Sequence, residues 1–453
     1  MVAVPQSIPP RKAPVYPGLP VVGSLLEVRR DMIAFFERAV QLGDIVELKF
    51  PARTAFVFNH PNHAKHIFVD HYRNYAKQTR GYQLLRMVLG QGLVTSEGEF
   101  WRRQRRIAQP AFQHGRITPF GEVMSEETER MLARWDRESP ATLDLDRALM
   151  TLTLTIVGRC LMSADLSDES DAVGQAVTVM LRQTVYRLTH PLMLPLGFPT
   201  PKNRAFLSAR AELDRLVYGI IEERRSGKQP PKPDLLSMLI EAKDEESGEG
   251  MTDLQLRDEV MTMILAGHET TANALNWTFY LLAQHPRVSE RLLEEVSTLG
   301  PGPLGVSELA RLPYTEAVIK ESMRLYPPVW IIARSATEAD VIDGVSIPAG
   351  AMCFISPWTH HRDPRFFEAP LEFRPERFLG EAEAAIGKYS YFPFAMGPRV
   401  CIGNGFAMME ARLLLAAIHR RYALELAPGA RVELEPSITL RPRHGLKMAL
   451  RRR

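Results

Sequence analysis

Cys401 lies in the stretch FPFAMGPRVCIGNG, residues 392–405, and is one of only three cysteines in 453 residues. Cys160 and Cys353 are far away in sequence, and the spacing fits neither a disulfide framework nor a zinc site. Three roles are open to Cys401. It can be a buried structural thiol, the usual fate of a lone cysteine. It can be a nucleophile, which needs a histidine that sequence cannot place. It can be a metal thiolate. Its surroundings favour the third role. Gly397, Gly403 and Gly405 clear side chains from around the sulfur, so a flat, bulky group can approach the backbone. Arg399 brings a fixed positive charge, and a helical pattern starts just after the cysteine. Both favour thiolate over thiol.

A second group, AGHETT, spans Ala266–Thr271 within a long helical pattern at residues 252–286. A mid-helix glycine costs about 1 kcal/mol relative to alanine, so Gly267 needs a reason. Close helix packing would supply one. Glu269 and Thr270 alone read as a polar patch, and His268 is given no role. Elsewhere, KESMR sets Glu321 and Arg324 three apart, where they share a helix face and can pair. WRRQRR sets Trp101 and Arg105 four apart, again on one face.

These groups must be positioned by regular elements. Helical apolar spacing appears in MSEETERMLARWDRE, RALMTLTLTIVGRCLM, SARAELDRLVYGIIEERRSG and GFAMMEARLLLAAIHRRY. Residues 252–286 are apolar nearly all round, which predicts a helix through the core with Thr252 as its N-cap. ELARLPYTEAVIKESMRLYPP reads as one helix stopped by Pro327. Alternation predicts two strands in DIVELKFPARTAFVFNHP, and others near ADVIDGVSIPAGAMCFISP and RVELEPSITLRPRHGLKMAL. The expected fold class is mainly α with a smaller β portion, as one domain over 1–453. Its parts are an irregular proline-rich stretch at 1–25, β-rich segments near 44–60 and 336–357, and a helical core over 90–430. Hydrophobic content of 45% and charged content of 24% are ordinary for a globular protein. A net charge of +3 makes no case for nucleic-acid binding. Arg451 to Arg453 read as a solvated tail. The N-terminal stretch has no long apolar run, so no signal peptide or membrane anchor is expected. Sparse cysteines fit a reducing, cytoplasmic location.

Phe394, Gly397, Arg399, Cys401 and Gly403 make F-x-x-G-x-R-x-C-x-G, which resembles the haem-binding loop of the cytochrome P-450 family, of the soluble bacterial type. The resemblance implies that family's fold, a triangular helical domain with heme b between the long central helix and the cysteine-loop helix. It makes Cys401 the axial iron ligand, whose thiolate favours O–O cleavage in O2. Phe394 would shield the sulfur and Arg399 would pair with a haem propionate. AGHETT resembles the family's oxygen-binding groove. There Thr270 would hold a hydrogen-bonded water and Glu269 would relay protons, while small Ala266 and Gly267 leave room for oxygen and substrate. Glu321 and Arg324 match E-x-x-R, with Arg377 of RPERF as third member of a structural trio. Trp101 and Arg105 match a propionate-contacting W-x-x-x-R, and Arg334 after PPVWIIA matches another propionate arginine. Lys77 and His361 are further candidates for that duty.

By the same resemblance, Leu265, Gly267, Val329, Trp330, Ile331, Tyr82 and Ile438 would line a substrate pocket. Their apolar character implies a lipophilic substrate: a fatty acid, terpenoid, steroid or polyketide. The expected reaction is oxygen-dependent hydroxylation by a monomer. Two electrons would come from a ferredoxin or flavodoxin with its NAD(P)H-dependent reductase. Arg102, Arg103, Arg106, Arg412 and Arg420 would offer that acidic partner a basic face. A non-oxygenating haem-thiolate isomerase or dehydratase and a haem sensor are the alternatives. The acid–alcohol pair argues against the former, and the apolar groove against the latter.

Overall fold

A computed structural model describes residues 11–51, 53–164, 170–190, 193–227, 232–300 and 302–453. The chain divides into two compact units. The first is Met1–Gln83, Trp330–Pro370 and Ile386–Cys401; the second is Leu84–Val329, Leu371–Ala385 and Ile402–Arg453.

The first unit is built on a five-stranded sheet in the order Ile45–Phe50, Arg53–Phe58, Met352–Ile355, Ile332–Ala336, Tyr75–Ala76. The first two strands form the expected hairpin, with Ile45 opposite Phe58 and Phe50 opposite Arg53. Aromatic side chains bind the sheet to the helix Met32–Val40. Phe36 packs 5.5 Å from Phe354 and 6.2 Å from Trp330, between ring centroids. Of the proline-rich N-terminal stretch, residues 11–24 carry only turns and isolated bridges; residues 1–10 lie outside the described residues.

The second unit is helical, and the helix Asp253–Gln284 runs through its core. It starts as the sequence predicts. The Thr252 hydroxyl accepts from the Gln255 amide, and the Gln255 side chain accepts from the Thr252 amide. The helix packs on Leu145–Met162, Pro313–Leu325 and Asn404–Arg421. At Gly267 a Cβ would lie 3.0 Å from Val157 Cγ2. Close packing on Leu145–Met162 therefore accounts for this glycine.

Two expectations need correction. ELARLPYTEAVIKESMRLYPP is not one helix: Val306–Arg311 forms a tight 3₁₀ segment, and the α-helix begins at Pro313. Proline lacks an amide proton and has a fixed φ, so it suits the first helical position and not the interior. The terminal arginines are not a loose tail. Strand Lys447–Arg452 pairs with Tyr422–Leu426, with Arg452 opposite Tyr422, while Arg451 and Arg452 themselves remain exposed. Among the described residues, no helix is long and apolar enough to cross a membrane.

On Pro313–Leu325, Glu321 and Arg324 have fully buried side chains. Arg324 grips Glu321 with two hydrogen bonds, of 2.7 and 2.9 Å. Arg377 Nε reaches Glu321 Oε1 at 3.3 Å, the Arg374 amide donates to the same oxygen at 2.9 Å, and Arg324 donates to the Glu372 carbonyl at 3.0 Å. The cluster thus ties the segment Leu371–Ala385 to the helix. Removing one partner leaves a buried charge unpaired, so Glu321→Ala should cost about 3–5 kcal/mol in urea unfolding. Glu410, on Asn404–Arg421, is fully buried, and burial pushes its carboxyl up to about 8 from an ordinary 4.5. Stability held by the protonated form is complete below 4.5 and is lost as pH rises towards 8. In Glu410→Gln the side chain ends in an amide, which has no proton to lose. That variant's urea midpoint should therefore rise relative to wild type between pH 5 and pH 8. A pH-independent difference would contradict this.

Candidate active site

The cysteine loop up to Cys401 belongs to the first unit. Its start is fixed by His361, whose Nε2 accepts from the Phe392 amide at 3.1 Å, with both residues buried. This bond places His361 beneath the loop as a support. The Ala395 amide then bonds the Phe392 carbonyl, and the Cys401 amide bonds the Phe394 carbonyl, each at 3.0 Å. Gly397 sits at φ +70°, and a Cβ there would lie 2.0 Å from the Phe68 carbonyl oxygen. The glycine is thus demanded by the protein's own backbone, a constraint distinct from clearance for a ligand. Cys401 is exposed, whereas Cys160 and Cys353 are buried. Burial drives the Cys160 thiol well above its usual range and the Cys353 thiol to about 12. Phe394, Met396, Arg399 and Val400 stay half-buried around Cys401.

The first unit also gathers three of the predicted residues. Arg334 donates to the Tyr82 hydroxyl at 3.2 Å and stacks 5.1 Å over the Phe68 ring. Lys77 holds its ammonium 5.4 Å from the Tyr82 ring centroid. Both cations are nearly buried. Sequence reasoning put Tyr82 among pocket residues; here it is the hub between two cations. Trp330 is fully buried in the aromatic core beside Phe36, and Ile331 is half-buried.

In the second unit the helix Asp253–Gln284 is buried through most of its middle, yet Ala266 is exposed and Gly267 and Thr270 are half-exposed. The Thr270 hydroxyl donates back to the Ala266 carbonyl at 2.5 Å, the local option open to a helical threonine. Glu269 is turned into the interior and is 5% exposed. Thr439 donates to its Oε1 at 2.7 Å, and Asn273 donates to Thr439 at 3.2 Å. Arg441 Nη1 lies 4.0 Å from the same oxygen, and Arg441 Nε pairs at 2.6 Å with partly exposed Glu435. Burial raises the Glu269 carboxyl above its usual range, opposed by Thr439 and Arg441. Asp146, bonded by Asn276 at 2.6 Å, is pushed up by burial to about 6. His268 is buried, bonds the Ile264 carbonyl at 3.3 Å, and is pushed down by burial to about 4, so it is neutral. Leu265 is buried, and Val329, Gly403 and Ile438 are half-buried. Trp101 is buried on Gly98–Ala108, and Arg105 is half-buried one turn on.

The proposed basic face is corrected by its partners. Arg102 pairs with Glu99, Arg103 with Glu249 at 3.2 Å, Arg106 with Asp244 at 3.0 Å and Glu246 at 2.9 Å, and Arg412 with Glu316 at 2.9 Å. Arg420 donates to the Gly300 and Gly302 carbonyls. Counting arginines alone overstated the positive field, because acidic side chains fold back onto four of the five.

The donor set suits a haem. Within the first unit it offers one exposed thiol among half-buried apolar side chains and two nearly buried cations around a tyrosine. Comparisons with known proteins agree with this chemistry. The chain is similar to cyclooctatin synthase of Streptomyces melanosporofaciens, with 35% identity over 93% of this chain and 92% of that protein. It is similar to cyclooctat-9-en-7-ol 5-monooxygenase of the same organism, with 33% identity over 91% and 90%. Pentalenene oxygenase of Streptomyces avermitilis is 32% identical over 94% and 92%. The family model for cytochrome P450 matches residues 14–448, nearly the whole described chain. With its cysteine loop, core helix and buried Glu–Arg cluster, the chain belongs to the cytochrome P450 family and is a haem-dependent, dioxygen-using monooxygenase.

Proposed function

We propose that this enzyme hydroxylates a terpenoid, with heme b held by Cys401 and with two electrons from a ferredoxin or flavodoxin served by an NAD(P)H-dependent reductase. It would work as a cytoplasmic monomer. The observation that carries the reaction type is the divided polarity of the core helix: buried Glu269 beside half-exposed Thr270. The terpenoid class is supported by the relatives named for cyclooctatin, cyclooctat-9-en-7-ol and pentalenene, and by the apolar side chains Leu265, Val329, Ile331 and Ile438.

When bound, the haem supplies the redox chemistry that splits dioxygen. The chain's own residues do the rest. Cys401 Sγ would be the iron ligand, carried on a loop whose amides at Ala395, Val400 and Cys401 are bonded internally. Lys77 and Arg334, held at Tyr82, would neutralise propionate charge with Arg399; on the helix Gly98–Ala108, Arg105 would offer a further cation and Trp101 an indole N–H donor. Glu269 stores a proton in a site where burial favours the neutral acid. Arg441, 4.0 Å from Glu269 and paired with partly exposed Glu435, partly offsets the effect of burial on that carboxyl. Thr270 can exchange its Ala266 bond for a water on the open side of the helix and pass the proton on.

Three outcomes check this reading. Polycyclic terpene hydrocarbons and alcohols should shift the haem spin state and, with ferredoxin, reductase, NADPH and labelled dioxygen, yield labelled alcohol. A product formed equally without oxygen or reductant would reject the monooxygenase assignment for these substrates. Glu269→Gln should slow product formation by about 100-fold, within the usual range for a lost proton-transfer group, and leave the haem spectrum unchanged. Thr270→Ala should keep consuming NADPH while its yield of alcohol per NADPH falls several-fold. Full yield in that variant would remove the hydroxyl from the proton path.

A further inference from the structure

Four of the chain's twelve histidines fall between residues 60 and 71, at His60, His63, His66 and His71. Neither the haem chemistry nor the substrate pocket uses them. The segment His66–Asp70 is a π-helical turn, in which the His71 amide bonds the His66 carbonyl at 2.8 Å. That i to i+5 bond stacks the two imidazoles, with ring centroids 4.0 Å apart and planes within 12°. An α-helical turn would set residues five apart on different faces, and such π turns recur at functional sites. Across from the stack stands Asp340, from the hairpin Asp340–Ile342 and Val345–Ile347. Its Oδ2 lies 2.8 Å from His66 Nε2 and accepts from the Tyr75 hydroxyl at 2.7 Å.

We infer that His66, His71 and Asp340 form a binding site for a divalent transition cation, with zinc as the best-suited occupant. One donor atom from each residue lies within 4.8 Å of the other two. Two imidazoles and one carboxylate are a donor set that zinc accepts at about 2.0–2.2 Å. Imidazole also favours such ions over magnesium or calcium. His71 is exposed, so its ring can swing to close the small remaining gap. Zinc would replace the hydrogen bond between His66 and Asp340, and the Tyr75 hydroxyl would keep orienting the carboxylate from outside. Water would complete the coordination. The neighbouring pair His63–Asp343, at 2.7 Å, shows what the same hairpin does without a third donor: it makes one structural bond. The stacked His71 contributes no such bond to the hairpin, which sets the two clusters apart.

The site bears on the cysteine loop through Phe68. This residue lies inside the π turn, its carbonyl abuts Gly397, and its ring lies under Arg334. A bound cation would fasten the turn to the hairpin and so stiffen the segment against which the loop packs.

The test uses chelator-treated holoprotein titrated with zinc chloride in a calorimeter, followed by zinc-edge absorption spectroscopy. We expect one zinc per chain at micromolar affinity, with nitrogen and oxygen neighbours and no sulfur. His71→Ala and Asp340→Asn should each weaken binding at least tenfold, while His114→Ala, at an exposed histidine elsewhere, changes nothing. His71→Ala removes an exposed ring, so its circular dichroism and haem spectrum should match wild type. No binding, sulfur ligation, or equal affinity in His71→Ala would overturn the assignment.

Discussion

The cysteine loop depends on one backbone approach. At Gly397 the chain takes a left-handed turn so close to the Phe68 carbonyl that any side chain would collide with it. This contact and the His361 bond to the Phe392 amide brace the loop at two points. Between and beyond them the loop satisfies its own amides, at Ala395, Val400 and Cys401. Cys401 is exposed, while the other two cysteines are sealed in apolar surroundings, where burial holds them as inert thiols.

On the core helix, geometry separates two duties between neighbouring residues. Consecutive positions on an α-helix point about 100° apart. Glu269 can therefore face the packed interior, with Thr439 and Arg441, while Thr270 faces the open side with Ala266 one turn back. An acid and an alcohol at any other close spacing would share a face or oppose each other. Burial raises the Glu269 carboxyl above its usual range, and the Thr439 hydrogen bond and Arg441 oppose that rise.

The parts legible in the sequence are those set by local rules. The capping box at Thr252, the hairpin from Ile45 to Phe58 and the pairing of Glu321 with Arg324 need only neighbours within a few residues or one turn. The cysteine motif was legible because its glycines, arginine and cysteine lie within ten positions. What escaped depends on distant partners. Thr439 reaches Glu269 across 170 positions, and Tyr82 meets Arg334 across 252. No spacing rule spans such distances. The basic face failed for the same reason, since Asp244 returns to Arg106 from 138 positions away. The end of the last strand was missed because a run of arginines reads as solvated. Its exposed side chains fit that reading, but its backbone is paired. Gly267 and Gly397 were legible as special glycines, yet the atoms that require them, in Val157 and Phe68, were not.

The account stands on Cys401 as the iron ligand. Its most direct test is the visible spectrum of the purified holoprotein after reduction and exposure to carbon monoxide, compared with Cys401→His. Wild type should give the red-shifted band from which the family takes its name, and Cys401→His should lose it for a histidine-type band. A histidine-type band in fresh wild type, or the red-shifted band persisting in Cys401→His, would contradict the account.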